Sequence, residues 1–505
     1  MDYANSVTQN PQDAGFAKSL AYFIANTHTV PSPDEILGVI GTEPPEDIRP
    51  KPLTKNANLK FRSLHVKHLR KFANKDKFFR LDFISDSDNP VSCVYVGHNG
   101  VGKTSLYHAL EITMLGSLES IANIEMDPDE KAKYMHNIFS DSAESGMAIV
   151  ETVNDNKELS QLVYRINGES PKFRFPSACL CSGRDIETLI QHGITKEYVA
   201  EQLNLSNMKL LTENLEVAND NLTDRTEILT HYQKILIQCE VSLNMLPQTE
   251  ESQKKRELLN KQREEYIETI SRLQNTFEVL KKTSDEKAAF VRCLNYMRDY
   301  YINILRELAK QSTKVLNNLV SDFLGNDISS TEVSYTEPYS LSIKVTPRDA
   351  LSSATLSRTV SPAFYLNNFR QKLFYVAFKA ALFLYAREKS GNDYPFIIDD
   401  IFDSSDFENR EKVKSFMNNL HSCYIINQTN GTIPDPVQVI LFTHDDIIAE
   451  EAYKGIQKSG TDAKFARIFE WTLLTTDDFN SKTGSYKVIH VDTDAYQSVK
   501  IEDPL

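Results

Sequence analysis

Apolar residues follow two different periods along the chain, and the changes of period divide it. From Leu59 the pattern is strand-like, with predicted strands over Leu59 to Val66, Phe78 to Phe83 and Val94 to Val96. A helix follows from Lys103 to about Leu115, carrying Leu106, Leu110 and Met114 at helical spacing. Three further runs, Gly146 to Val153, Leu159 to Ile166 and Phe175 to Cys181, predict an antiparallel lobe. Next comes a long seam stepping by three and four, from Met208, Leu211 and Leu215 to Leu246. A breaker stretch around Pro247 to Ser252 stops it, and it resumes from Leu259 through Tyr266, Ile270 and Leu305 to Leu319, with polar lapses at Ser284, Lys287, Arg298 and Ser312. The expected form is two helices joined by one turn, an antiparallel coiled-coil hairpin. With limbs of about 40 to 45 residues at 1.5 Å each, the arm reaches roughly 60 to 70 Å. The turn has no cysteine, which argues against a metal-bridged tip of the zinc-hook kind.

Beyond Gly325 strands return at Val333 to Tyr335 and Leu341 to Val345, followed by a helix rich in Leu, Phe and Ala from about Asn368 to Glu388. Two buried strands are predicted after it, Tyr394 to Asp400 and Val437 to His444, and from Phe465 the tail alternates like a hairpin. The expected divisions are an N-terminal extension 1–57, a first lobe 58–198, the arm 199–324 with its turn near 247–252, and a second lobe 325–505. The extension is polar and punctuated by proline, with short helical patterns at Phe16 to Ala25 and Asp34 to Ile40. Oligomer arm, autoinhibitory flap and partner dock all fit that pattern.

A chain of 505 residues and 57.5 kDa supports two to four structural units, and 41% hydrophobic with 25% charged residues is ordinary for a soluble protein. Neither a bilayer-spanning run nor a signal pattern is evident, so a cytoplasmic location is expected. The six cysteines never form C-x-x-C, which favours neither a disulfide framework nor a zinc site. Cys179 and Cys181 read as strand side chains. Net charge is −14, yet residues 49–80 hold eleven Lys or Arg against one acid, Asp76. That cluster fits either a nucleic-acid backbone or a solvated face opposite acidic groups.

The sharpest chemistry lies in Val91 to Leu106. Gly97, His98, Asn99, Gly100, Val101, Gly102, Lys103 and Thr104, followed by Ser105, fill G-x-x-x-x-G-K-[ST] directly after an apolar strand. Glycines let a loop turn its N–H groups inward on a triphosphate, and the following helix start aims its free N–H groups at the same place. In that reading Lys103 bridges the β- and γ-phosphates and the Thr104 hydroxyl sits on Mg²⁺, so ATP and Mg²⁺ are the expected cofactors.

An apolar strand ending in Asp399 and Asp400 fits the second requirement of such a site. Asp399 would hold the magnesium shell and Asp400 would orient or deprotonate the attacking water. His444, at the end of the next strand, reads as a γ-phosphate contact, and Asp403 lies where a subunit-crossing loop would follow.

These motifs, GHNGVGKT, IIDDIFDSSD and LFTHDD, with long helices between the first and second, resemble ABC-type ATPases of the SMC, RecN and RecF class over about Leu59 to Lys487. The resemblance implies an α/β P-loop head, a mixed sheet plus antiparallel lobe, interrupted by a coiled-coil hairpin. It also implies a dimer of heads in which a signature motif, commonly L-S-x-G-[EQ], completes each site in trans. Here the matching segment is Tyr365 to Lys372, where Asn367 stands for the serine and Phe369 for the glycine, with Arg370 beside it. Asn367 can still donate to a γ-phosphate and Arg370 adds charge, whereas Phe369 does not copy the close approach of glycine. In place of the usual Q-loop glutamine, the segment Ala178 to Glu187 offers Ser182 as a metal contact, ahead of Arg184 and Asp185.

The combination further resembles the ATPase subunits of prokaryotic anti-phage systems of the Septu (PtuA), retron-linked and PARIS (AriA) kind. From that follow a slow or conditional ATPase and a separate partner nuclease of HNH type, with a reverse transcriptase and noncoding RNA as further candidate partners. A DNA-maintenance ATPase of RecF or RecN type, and a scaffold that binds ATP without turnover, are the alternatives.

Overall fold

The computed structural model describes residues 16, 19–21, 23–24, 30–39, 59–70, 72, 79–121, 133–136, 146–154, 157–166, 175–203, 205–247, 249–281, 284–336, 340–348, 358–390, 393–402, 407–426, 436–460, 462–468, 488–492 and 495–498. In chain order the elements are helix α1 (Pro33–Val39), strands β1 (Lys60–Lys67), β2 (Phe79–Asp82) and β3 (Ser92–Val96), and helix α2 (Lys103–Leu115). They continue with β4 (Met147–Val153), β5 (Leu159–Arg165), β6 (Leu180–Ser182), α3 (Gly183–His192) and α4 (Lys196–Gln202). Three long helices follow, α5 (Ser206–Met245), α6 (Glu250–Lys281) and α7 (Ser284–Leu324), and then β7 (Ile328–Thr336) and β8 (Ser340–Pro347). The last third contains α8 (Pro362–Tyr365), α9 (Asn368–Ser390), β9 (Phe396–Asp399), α10 (Phe407–Ile426), β10 (Val439–Thr443), α11 (Asp446–Lys458), β11 (Ala463–Ile468), β12 (Val488–Asp492) and β13 (Ala495–Ser498).

Contacts divide the chain into two compact units, one made of Met1–Thr54 with Leu205–Ile304 and the other of Lys55–Asn204 with Leu305–Leu505. In the first, α5 and α6 run antiparallel. Cys239 Sγ donates to the Leu259 carbonyl at 3.3 Å, Arg263 pairs with Glu240 at 3.3 Å, and the Tyr232 and Tyr266 rings lie 6.2 Å apart. Helices α6 and α7 together cover the second limb of the predicted seam, and residues 282–283 between them lie outside the described residues. The N-terminal segment packs within this unit: Phe16 meets Phe290 edge-on at 5.4 Å, and the Asn214 amide donates to the Pro31 carbonyl at 2.8 Å. A capping box opens α1. The Ser32 backbone N–H donates to Glu35 at 2.7 Å while the Glu35 N–H reaches back to the Ser32 hydroxyl at 3.4 Å.

The second unit is built on a seven-stranded sheet of order β13-β12-β11-β3-β10-β9-β6. Strands β11, β3, β10, β9 and β6 are parallel. Every residue of β3, β9 and β10 is buried, as expected of parallel strands covered on both faces. The same rule explains why Cys181 lies here. The run Phe175 to Cys181 is expected in the antiparallel lobe, but it forms a short 3₁₀ turn and then β6, paired in parallel with β9, because both of its faces are apolar. The lobe itself is a four-stranded antiparallel sheet, β2-β1-β4-β5, and β7-β8 form a separate hairpin.

One buried amide joins the lobe to the parallel sheet. Strand β1 has a register shift between Phe61 and Ser63. There the Phe61 N–H donates to the Gln438 side-chain oxygen at 2.8 Å, and the Gln438 NH₂ donates to the carbonyls of Phe61 at 2.8 Å and Val91 at 3.2 Å. Replacing Gln438 by Leu strands these backbone groups away from water, and Gln438→Leu is expected to destabilise the protein by about 2–4 kcal/mol in urea unfolding. A loss under about 0.5 kcal/mol would show that the joint is not structural.

Candidate functional site

Strand β10 lies between β3 and β9, so the loops that leave their carboxyl ends stand side by side. The register puts Phe442 opposite both Tyr95 and Asp399. The Gly97 N–H donates to the Thr443 carbonyl at 3.1 Å, and the Asp400 N–H to the Phe442 carbonyl at 2.9 Å.

Within the loop the glycines serve different needs. A Cβ on Gly97 would stand 2.7 Å from the Ile468 carbonyl oxygen, so this position is set by the approach of β11. Gly100 and Gly102 have φ of 91° and 104°, the left-handed region, and Gly102 is the N-cap of α2. All of α2 except Thr104 is buried. Lys103 folds back so that its Nζ donates to the carbonyls of Gly97 at 2.7 Å and His98 at 3.1 Å. Burial draws its pKa down, and the charges of Asp400 and Asp399 oppose that.

Asp399 is 5% exposed, and its Oδ1 has no hydrogen-bond partner among the described residues. Burial, with the neighbouring Asp400 charge, pushes its pKa up to about 7 against a hydrogen bond from Thr104 and the charge of Lys103. A carboxylate with an unspent oxygen beside a threonine hydroxyl and a lysine suits one hard divalent cation whose remaining ligands come from phosphate and water. Among the described residues no cluster of three or more His, Cys, Asp or Glu could hold a metal alone.

Asp400 leaves the strand with φ 49°, unusual for a residue with a side chain. That turn carries its carboxylate to His444, whose N–H donates to Asp400 Oδ1 at 3.2 Å and whose ring Nδ1 lies 2.5 Å from the same oxygen. The histidine therefore holds the acid directly. The next residue in LFTHDD has a structural task, since Asp445 caps α11 by accepting from the N–H groups of Ile447 at 2.9 Å and Ile448 at 3.1 Å.

Ser182 pairs in register with Asp399. Its hydroxyl accepts from the Asp185 N–H at 3.2 Å, and Asp185 accepts from the Ser182 N–H at 3.3 Å, a capping box for α3. The signature-like residues are engaged within their own neighbourhood. Asn367 Oδ1 accepts from the Arg370 N–H at 2.9 Å, and the Arg370 guanidinium is paired with Asp327. Phe369 is 8% exposed and packs inward, so the surface at the start of α9 is formed by Asn367, Asn368 and Phe364, the last 90% exposed. Asp403 lies outside the described residues.

Several cations of the basic segment are satisfied inside the fold: Lys60 near Asp393 at 3.6 Å, Arg62 with Asp88 at 2.6 Å, Arg80 with Asp82 at 2.7 Å, and Arg70 stacked on Tyr134 at 4.2 Å. Sequence reasoning also missed Lys379, a lone charge in the apolar middle of α9. Its Nζ is 3.0 Å from Asp185 Oδ2, the oxygen that accepts the Ser182 N–H, so α9 is tied to the cap beside Asp399.

A family model described as an AAA domain (AAA_23) matches residues 63–321. No curated protein matches the chain. Among solved structures, an Smc head domain with a coiled coil and joint from Pyrococcus yayanosii is 13% identical with a TM-score of 0.41, over 88% of this chain and 97% of that one. An Smc head domain with an extended coiled coil bound to the C-terminal domain of ScpA, from Pyrococcus furiosus, is 13% identical with a TM-score of 0.38, over 81% and 93%. The recombination mediator RecF with ATP is 13% identical with a TM-score of 0.33, over 82% and 98%.

The raised Asp399 pKa makes a signed prediction for the protein without nucleotide. Below about pH 4 the carboxyl is protonated in folded and unfolded chains alike. Between about pH 4 and 7 the unfolded chain ionises first, so stability falls as pH rises and stays reduced above pH 7. Asp399→Asn removes this loss. Urea unfolding should find the variant more stable than the parent by up to roughly 4 kcal/mol at pH 8, with little difference near pH 4. A gap independent of pH would contradict the assigned burial.

Proposed function

Because the chain belongs to the AAA-domain family, we propose that it binds ATP with Mg²⁺ and hydrolyses it at the site where the P-loop meets Asp399, Asp400 and His444. One observation carries this reading: a buried carboxylate oxygen without a hydrogen-bond partner among the described residues, on Asp399, stands beside the P-loop residues Thr104 and Lys103. In this reading the N–H groups from Gly97 to Ser105, including those of His98, Asn99 and Val101, bind phosphate oxygens, and Lys103 exchanges its bonds to loop carbonyls for bonds to phosphate. Thr104 and Asp399 hold the cation, with Ser182 next in register. Asp400 orients a water and accepts its proton, while His444 keeps that carboxylate aimed and donates toward the γ-phosphate. ATP supplies the transferable phosphoryl group, and Mg²⁺ neutralises its charge.

The plan of the chain, with long helices between the two halves of the site, supports an SMC- or RecF-like head with a coiled-coil arm that works as a dimer. Asn367 and Arg370 would then face a second copy's nucleotide, and Arg370 would have to leave Asp327 to do so. Control of a separate HNH-type nuclease in an anti-phage complex, with a reverse transcriptase and noncoding RNA as further partners, rests on the motif resemblance. A RecF- or RecN-like role on duplex DNA is the other reading. Co-purification with the products of neighbouring genes supports the first, and ATP-dependent clamping on DNA by the chain alone supports the second.

Lys103→Ala is expected to weaken ATP binding roughly 10- to 100-fold, as for loss of a hydrogen bond to a charged group. Asp400→Asn should keep ATP binding and slow single-turnover hydrolysis by about 100-fold or more. Unchanged ATP affinity in the first variant sinks the site assignment. Wild-type turnover no faster than solvent background would leave a binding scaffold.

A further inference from the structure

Lys379 lies in the middle of α9, 1% exposed, among Phe378, Ala380 and Ala381, which are wholly buried. A buried ion pair is a weak source of stability, since desolvation offsets its attraction, and an apolar side chain would fill such a place at lower cost. What the lysine holds is therefore more informative than what it adds to packing. Its Nζ donates to Asp185 Oδ2 at 3.0 Å and stands 5.7 Å from the centre of the Tyr198 ring. Desolvation acts to lower its pKa, but the Asp185 charge leads the effects that outweigh it, so the pKa is raised and the side chain stays an ammonium.

Asp185 carries that constraint to Ser182. The oxygen that meets Lys379 also accepts from the Ser182 N–H at 3.3 Å, and the Asp185 N–H donates to the Ser182 hydroxyl at 3.2 Å. One residue thus holds both the backbone and the side chain of Ser182. The strand that ends in Ser182, β6, has three residues and is the last of its sheet, paired with β9 alone among the described residues. Most strands run to about five or six residues, so this short ladder leaves its final residue in need of another anchor. Ser182 lies opposite Asp399 in that pairing. A serine oxygen has two lone pairs, and the Asp185 N–H takes one.

We propose that Lys379 is a positioning residue for the divalent cation of the ATP site: through Asp185 it fixes Ser182 beside Asp399 and so sets the affinity for Mg²⁺. The proposal rests on the reading of that site as one for ATP and Mg²⁺. Lys379 acts only through the Asp185 carboxylate.

The test measures binding and not turnover. The full chain is titrated with a fluorescent ATP analogue in EDTA and at graded Mg²⁺. Lys379→Met is expected to raise the Mg²⁺ concentration at half-effect about 10-fold, as for loss of one charged contact, and to leave affinity in EDTA within about twofold of the parent. Lys379→Met combined with Asp185→Asn should be no worse than the more affected single variant, because the two residues act in series. If Lys379→Met does not fold, Asp185→Asn alone, which keeps an acceptor for the Ser182 N–H and loses the charge, is expected to give the same rise. An unchanged Mg²⁺ midpoint overturns the proposal. So does a loss of affinity equal in EDTA and in Mg²⁺, the mark of a merely structural lysine, or additive effects in the double variant. A parent chain that fails to bind the analogue, or binds it with no response to Mg²⁺, overturns instead the ATP and Mg²⁺ reading on which the proposal stands.

Discussion

The parallel placement of β10 between β3 and β9 is the constraint from which the site follows. It brings the end of the P-loop strand and the end of the acidic strand to the same edge of the sheet, although long helices separate them in the chain. Three hydrogen bonds from backbone N–H groups do the local work: the last residues of β10 accept from Gly97 N–H and Asp400 N–H, and His444 N–H donates to the Asp400 carboxylate. The continuous apolar runs of these strands make that pairing stable by burying both faces.

Function at this edge depends on electrostatics that the burial creates. Asp399 is costly as an isolated charge, which is why its pKa rises. Asp400 has the opposite design. It is turned out of the strand by an uncommon backbone angle and held by His444, so that one carboxylate is dry and the other is presented. Two adjacent acids thereby take two roles.

Long-range ties extend from this centre. Lys379 in the middle of α9 shares Asp185 with the Ser182 cap, and Ser182 is in register with Asp399. Gln438, at the other end of β10, fixes the antiparallel lobe through the irregular point of β1.

Much of this was legible in the residues. The P-loop, the helix Lys103 to Leu115 and the strands ending in Asp399 and His444 follow from local pattern, because a buried parallel strand is a short apolar run and a phosphate loop needs its glycines. The sequence by itself determined the elements in which the candidate residues sit. It did not determine partners. That Gly97 answers to Ile468, that Arg370 is paired with Asp327, and that Phe369 packs inward are outcomes of packing. Likewise, nothing local marks Lys379, since one lysine looks like any other until its surroundings exist. Only the tertiary structure decided these, because burial and charge pairing are properties of neighbours brought together from distant parts of the chain.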